Sequence, residues 1–133
     1  MAGALTIELH QISGTTSEAA IGAHHVLVDR PPEKGGSGMG PMGGELFLAS
    51  VGGCFLSNML AAIRARELPI SGVRAEVTGS IADAPPRFES IEVRITAETK
   101  DGEGLRHVVE IADRGCIMMN TLRGKMDVQI RVL

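Results

Sequence analysis

The chain contains two cysteines, Cys54 and Cys116, and these residues offer its most distinctive chemistry. Cys54 lies in "LFLASVGGCFLSNML", the most apolar part of the sequence, directly after Gly52 and Gly53. Two glycines inside a helix cost about 1 kcal/mol each relative to alanine. We therefore expect them to allow the close approach of another backbone or of a ligand beside the thiol. The alternative for Cys54 is an inert, packed thiol, which is common for buried cysteines.

Cys116 follows a predicted helix end in "DRGCIMMNTL". A mobile turn at this point would let its sulfur move, which suits a resolving thiol. A packed thiol is again the alternative. The N-terminal "MAGALTIELHQ" does not read as a signal peptide, so we expect a reducing, cytoplasmic location that disfavours a permanent disulfide.

Metal and nucleotide sites have weak support in the sequence. The histidines form one adjacent pair, His24 and His25, and neither C-x-x-C nor H-x₃-H spacing occurs. A G-x-G-x-x-G match over residues 38–43 contains Pro41 and does not follow the strand–helix pattern of a dinucleotide fold. We expect neither a metal nor an organic cofactor.

Two charged residues are candidates to activate a cysteine. A thiolate is the reactive form, and apolar burial raises a thiol pKa unless a cation or hydrogen-bond donor compensates. Arg30 is the only arginine among the first 63 residues, and Glu45 falls in the first turn of the predicted long helix. A loop could deliver the Arg30 guanidinium to a buried sulfur, paired with Glu45. The alternatives are a solvated loop charge and a favourable first-turn carboxylate.

Composition limits the function classes. The chain has 133 residues, 44% hydrophobic and 22% charged, with a net charge of -3 and no Trp or Tyr. This excludes disorder and gives no electrostatic support for nucleic-acid binding. The apolar stretch Leu46 to Ile63 is interrupted by glycine, serine and asparagine, so we expect a buried central helix and no membrane span. The length predicts a single domain over 1–133.

Hydrophobic patterning predicts an α+β domain in the order β-β-β-α-β-β-α-β. The glycine-rich segment 31–44 is predicted to be a long ordered loop or lid. The predicted elements are a strand at Ala4–His10, one or two strands within Ala19–Asp29, a helix at Glu45–Glu67, strands at Ile70–Ala82 and Phe88–Thr99, an amphipathic helix over 101–115, a short turn over 117–124, and a last strand over 126–133.

Two segments together resemble the OsmC/Ohr family, named for osmotically induced protein C and organic hydroperoxide resistance protein. These are "DRPPEKGGSGMGPMGGELFLASVGGCFLSNM" and "ADRGCIMMNTLRG". The resemblance implies an OsmC-like α+β fold in an interlocked homodimer, with sheets of both chains around the cysteine helices. A partner chain would then supply the cover that a helix apolar on nearly every face requires.

The resemblance also implies a thiol peroxidase. Cys54 would attack an organic hydroperoxide and become a sulfenic acid, Cys116 would condense with it to a disulfide, and a dithiol or protein thiol would reduce the pair. Arg30 and Glu45 are the candidates for the activating pair in this chain, whereas the family's reductases have their activating arginine in the N-terminal region, where this chain has no arginine before Arg30. The family's reductases carry their carboxylate ten residues before the first cysteine, where this chain has Gly44.

The resemblance further implies an apolar substrate pocket, for which the candidates are Phe47, Phe55 and Met118. Such a pocket favours an organic peroxide over hydrogen peroxide because it buries the organic tail. The alternative function is a non-catalytic redox-responsive module, or one that binds a small hydrophobic ligand.

Overall fold

The computed structural model describes residues 2–133. The chain divides into two compact units, Met1–Phe47 and Leu48–Leu133. The elements are mixed α and β, so the predicted α+β class is confirmed.

The first unit contains a three-stranded antiparallel sheet in the order β1-β2-β3. Its strands are β1 (Glu8–Gln11), β2 (Ser17–Ile21) and β3 (His24–Val28). The predicted Ala4–His10 strand thus begins later than expected, and the region Ala19–Asp29 holds parts of two strands. A two-residue turn joins them, with Gly22 at φ 59, a left-handed conformation that glycine adopts without steric cost.

The glycine-rich loop is folded around one buried carboxylate. Asp29, only 3% exposed, accepts hydrogen bonds from the Thr16 hydroxyl at 2.9 Å and from the backbone amides of Arg30 at 2.7 Å and Met39 at 3.1 Å. The amide of Ser37 donates to it as well. This supports the predicted ordered loop, which also includes a 3₁₀ turn at Pro32–Lys34.

The second unit is built on a long hairpin. Strands β4 (Ser71–Asp83) and β5 (Pro86–Glu98) are antiparallel, and β6 (Asp127–Val132) pairs with β5 in parallel. Alternating apolar residues of β5 and one stripe of helix α2 (Gly102–Gly115) contribute to the core. The fully or nearly fully buried core residues of these two elements are Ile91, Val93, Ile95, Leu105, Val108, Val109 and Ala112.

Helix α1 (Gly43–Ala65) begins and ends two residues before the predicted bounds. By length and composition alone it is apolar enough to cross a membrane, a property that core helices share. Residues of one face are buried, whereas Ala49, Gly53, Ser57 and Leu60 on the other are exposed, Leu60 to 51%. Within this one chain the predicted central helix is therefore covered on one side only.

The segment predicted as a turn over 117–124 contains a third helix, α3 (Ile117–Leu122). The Cys116 carbonyl accepts the Asn120 amide at 3.0 Å, and the Thr121 hydroxyl donates to the Ile117 carbonyl at 2.6 Å. No glycine or proline interrupts "IMMNTL", so nothing opposes these bonds. Gly115 is the last residue of α2 and not its cap, which is Cys116.

Candidate active site

The two cysteines meet in the second unit as free thiols. The Cys116 thiol donates to the Cys54 Sγ at a sulfur–sulfur distance of 3.3 Å. Cys54 is half-buried and Cys116 is completely buried. The sulfurs are 62 positions apart in sequence, so only the tertiary fold brings them together. Their contact is short enough for a disulfide to form with little movement.

The two glycines before Cys54 have different surroundings. A Cβ on Gly52 would lie 2.8 Å from the Val77 Cγ2, so its absence lets α1 approach β4 closely. A Cβ on Gly53 would meet nothing within 4 Å, and Gly53 is exposed. Close approach is therefore the reason for Gly52, while Gly53 faces open space on the exposed side of α1.

Cys116 lies at the junction of α2 and α3. Burial raises the pKa of its thiol, and so does the nearby Cys54 sulfur, although the backbone amides of Met119 and Met118 lower it in part. The net rise keeps Cys116 protonated, which suits its role as donor in the contact between the sulfurs. Helix α3 takes the place of the predicted turn, and Cys116 is buried at the junction of the two helices; the predicted movement of its sulfur stays a prediction.

Sequence reasoning missed Asn58. Its Nδ2 donates to the Cys54 carbonyl oxygen at 2.9 Å and lies 4.0 Å from the Cys54 Sγ. Its Oδ1 would be 3.2 Å from a Cβ on Gly115. The available signal was its spacing of four residues from Cys54 on a predicted helix, which puts both side chains on one face.

Sequence reasoning also missed a charged pair that holds α3 on the end of α2. The Arg123 Nη2 lies 2.8 Å from the Asp113 Oδ1, and the Asn120 Nδ2 donates to the Arg114 carbonyl at 3.0 Å. The hydrogen bond and charge of Asp113 raise the pKa of Arg123. A spacing of ten residues across two helices gives no local sequence signal for this pair.

The predicted activating residues belong to the first unit. The Glu45 Oε1 accepts the Met42 amide at 2.9 Å, which matches the alternative of a first-turn carboxylate that caps α1. Arg30 is exposed and lines a cavity of its unit with Lys34 and Gly44. Their roles in activating a thiol stay predictions.

The predicted pocket residues differ in burial. Phe55 is 0% exposed and belongs to the core, whereas Phe47 and Met118 are half-buried. Their contact with a substrate stays a prediction. Among residues 2–133, no group of three or more His, Cys, Asp or Glu side chains is arranged to hold a metal ion.

Fold and site together define an α+β protein with a pair of reduced thiols in contact. The sequence matches the model of the OsmC-like protein family over residues 35–131, so the chain belongs to the OsmC-like family. No curated protein gives a sequence match.

Solved structures share this fold. A candidate osmotic stress induced and detoxification response protein from Psychrobacter arcticus is 20% identical with a TM-score of 0.83, over 100% of this chain and 98% of that one. The OsmC-like protein of Mycoplasma pneumoniae is 18% identical with a TM-score of 0.82, and the match covers 100% of this chain and 98% of that one. An organic hydroperoxide resistance protein from Elizabethkingia anophelis is 24% identical with a TM-score of 0.70, and the match covers 99% of this chain and 98% of that one.

Proposed function

We propose that this protein is a thiol-dependent peroxidase that reduces organic hydroperoxides. The observation that carries the proposal is the contact between the Cys54 and Cys116 sulfurs at 3.3 Å. Membership of the OsmC-like family, with organic hydroperoxide resistance proteins among the similar structures, supports a general redox role in oxidative stress.

The proposed reaction uses both thiols in turn. The Cys54 thiolate attacks the terminal peroxide oxygen, the O–O bond breaks, and the leaving alkoxide takes a proton to become an alcohol. Cys54 is then a sulfenic acid. The Cys116 sulfur attacks the Cys54 sulfur, a disulfide forms, and the hydroxyl leaves as water with the Cys116 proton. A small dithiol or protein thiol, oxidised in exchange, restores both thiols in a reducing cytoplasm.

The surroundings of Cys54 support an organic substrate. Gly53, the neighbour of Cys54 in the chain, lies on the exposed face of α1, and Leu60 exposes an apolar side chain on the same face. An alkyl group that covers such surface gains about 25 cal/mol for each Å² of apolar area removed from water. Hydrogen peroxide has no apolar group and gains nothing from this contact.

We further propose that the chain works as a homodimer. α1 has a mean hydropathy of 1.9 over its most apolar window, of which 33% is buried in one chain. A helix this apolar requires cover on its exposed side. A second copy is the occupant that the OsmC-like resemblance implies, and its α1 would bring matching small residues to the contact.

A peroxide consumption assay tests the enzyme proposal. The chain has neither Trp nor Tyr, so oxidation is best followed through loss of peroxide and not through protein fluorescence. We expect the reduced protein to consume cumene hydroperoxide faster than hydrogen peroxide. Cys54→Ser should abolish consumption, because it removes the nucleophile. Cys116→Ser should retain one turnover and stop at the sulfenic acid.

If the reduced protein consumes peroxide no faster than a free thiol does, the enzyme proposal is contradicted. In that case the alternative is a redox-responsive or ligand-binding module. Thr121→Ala serves as a control because it alters a side chain of α3 while leaving both cysteines in place. Its initial rate should equal that of the wild type.

A further inference from the structure

Asn58 lies close to both segments that carry the cysteines. It lies one helical turn after Cys54, and its Nδ2 donates to the Cys54 carbonyl oxygen at 2.9 Å. On its other side, the Oδ1 would be 3.2 Å from a Cβ on Gly115, the residue that precedes Cys116. The carboxamide is therefore bonded to the Cys54 segment and lies next to the segment that carries Cys116.

The amide nitrogen of Asn58 carries two hydrogens. One is engaged by the Cys54 carbonyl, and the nitrogen is 4.0 Å from the Cys54 Sγ, at the outer limit of a hydrogen bond to sulfur. A neutral thiol attracts such a donor weakly. A thiolate attracts it more strongly, since a hydrogen bond to a charged group is roughly twice as strong as a neutral one.

We propose that Asn58, seated against Gly115, is the positioning residue that makes Cys54 rather than Cys116 the nucleophile of the pair. The inference rests on the proposed thiol chemistry of Cys54, but it does not depend on which oxidant is the substrate. When Cys54 loses its proton, the Asn58 amide and the Cys116 thiol both donate to the same sulfur. The negative charge then stays on Cys54 and the proton stays on Cys116.

This arrangement gives a reason for glycine at position 115. Gly115 is the last residue of α2, and its φ is not among the positive values of the described chain. Its conformation therefore does not require glycine. A side chain there would press on the Asn58 Oδ1, so the space serves the position of the carboxamide.

Alkylation of Cys54 by iodoacetamide tests the proposal without any peroxide. The thiolate displaces iodide as the S–C bond forms, so the rate against pH follows the ionisation of Cys54. The measurement uses the full chain with Cys116→Ser, so that a single thiol reacts. We expect Asn58→Ala to raise the midpoint by about one pH unit, which is roughly a tenfold loss of rate below the midpoint.

Asn58→Asp keeps the size of the side chain and replaces the donor with a carboxylate. We expect a larger rise than with alanine, because a negative charge disfavours a thiolate nearby. Glu110→Gln, at an exposed position of α2 outside the α1 face, is the control and should leave the midpoint unchanged. If both Asn58 variants retain the wild-type circular dichroism and the wild-type midpoint, the proposal is overturned.

Gly115→Ala separates positioning from a general loss of packing. It should raise the midpoint while Asn58 is present and should cause no further rise when Asn58 is already alanine. An equal shift in both backgrounds contradicts the proposed contact. If the protein consumes no peroxide but shows these alkylation shifts, the peroxidase proposal is contradicted and the proposed role of Asn58 is supported.

Discussion

Asp29 is the residue on which the order of the glycine-rich loop depends. Burial on its own raises the pKa of this carboxyl, but hydrogen bonds from Met39, Arg30, Thr16 and Ser37 outweigh burial and lower the pKa to about 2. These donors lie before and after the 3₁₀ turn of the loop. The ionised carboxylate thus adds to the backbone hydrogen bonds within the loop, such as the one from the Gly38 amide to the Arg30 carbonyl at 2.9 Å.

We expect Asp29→Asn to lower the free energy of unfolding at neutral pH, because an amide presents N–H groups where Asp29 accepts hydrogen bonds. The native pKa of about 2 lies below the ordinary 3.8, so the carboxylate stabilises the fold above pH 3.8. That contribution is lost as the pH falls through about 2.

Urea unfolding followed by circular dichroism, repeated from pH 7 down to about pH 2, checks this prediction. The difference in free energy of unfolding between wild type and Asp29→Asn should become smaller as the solution becomes more acidic. Asp83→Asn, at an exposed position, is the control. A gap that is constant over the whole range would show that the charge of Asp29 contributes nothing.

At the scale of elements, the packing of α1 on β4 requires two residues without side chains. Gly52 faces Val77 on β4. A Cβ on Gly79 of β4 would lie 2.6 Å from the Phe88 ring of β5 and 3.0 Å from the Leu48 Cδ2 of α1. Each element therefore supplies a glycine opposite an apolar side chain of the other. This fixes how closely the helix that carries Cys54 approaches the sheet.

We expect Gly52→Ala to destabilise the protein by up to about 2 kcal/mol, because an overpacking cost of about 1–3 kcal/mol outweighs the gain of about 1 kcal/mol in helix propensity. Thermal and urea unfolding measure the change. Val77→Ala removes the methyl group that the new Cβ would meet, so the cost of Gly52→Ala should be smaller in that background. Equal costs in the two backgrounds would contradict this account of the contact.

How much the sequence predicts differs between elements. The alternation of apolar and polar residues in β4 and β5 and the apolar stripe of α2 predict the bounds of these elements to within a few residues. Burial of one face leaves such a periodic pattern in the sequence. α3 was missed, since six residues held by local hydrogen bonds carry no such period. The parallel pairing of β6 with β5 could not be predicted from the sequence either, because the register between distant strands depends on the whole fold.

The reactive residues of the candidate site could be predicted from the sequence, but the residues around them could not. The two cysteines stand out by residue type and by their segments. Asn58 and the pair of Asp113 and Arg123 have ordinary residue types, and their importance comes from contacts at long sequence separation. Such contacts depend on the packing of α1, α2 and α3, which sequence periodicity does not specify.

For the whole molecule, the exposed side of α1 predicts self-association. Ala49, Gly53, Ser57 and Ala61 recur every four residues and are all exposed. Small residues at this spacing let a second helix approach closely. We expect sedimentation equilibrium at micromolar concentration to give twice the chain mass of 14.0 kDa.

Ala61→Lys should shift that mass to the monomer, because it places a charge in the apolar contact. Glu110→Lys, at an exposed position of α2, is the matched control and should remain dimeric. A wild-type protein that sediments as a stable monomer would contradict the proposed dimer.

The long interval between the two cysteines has a consequence for the durability of the protein. A bond between sulfurs 62 positions apart turns the intervening chain into a covalent ring that contains the whole β4–β5 hairpin and α2. A ring of that size restricts the unfolded chain by an amount worth about 4 kcal/mol. The oxidised molecule would therefore resist heat and proteases better than the reduced one, and a cell under oxidative attack would keep the protein longest when most of its copies have just reacted.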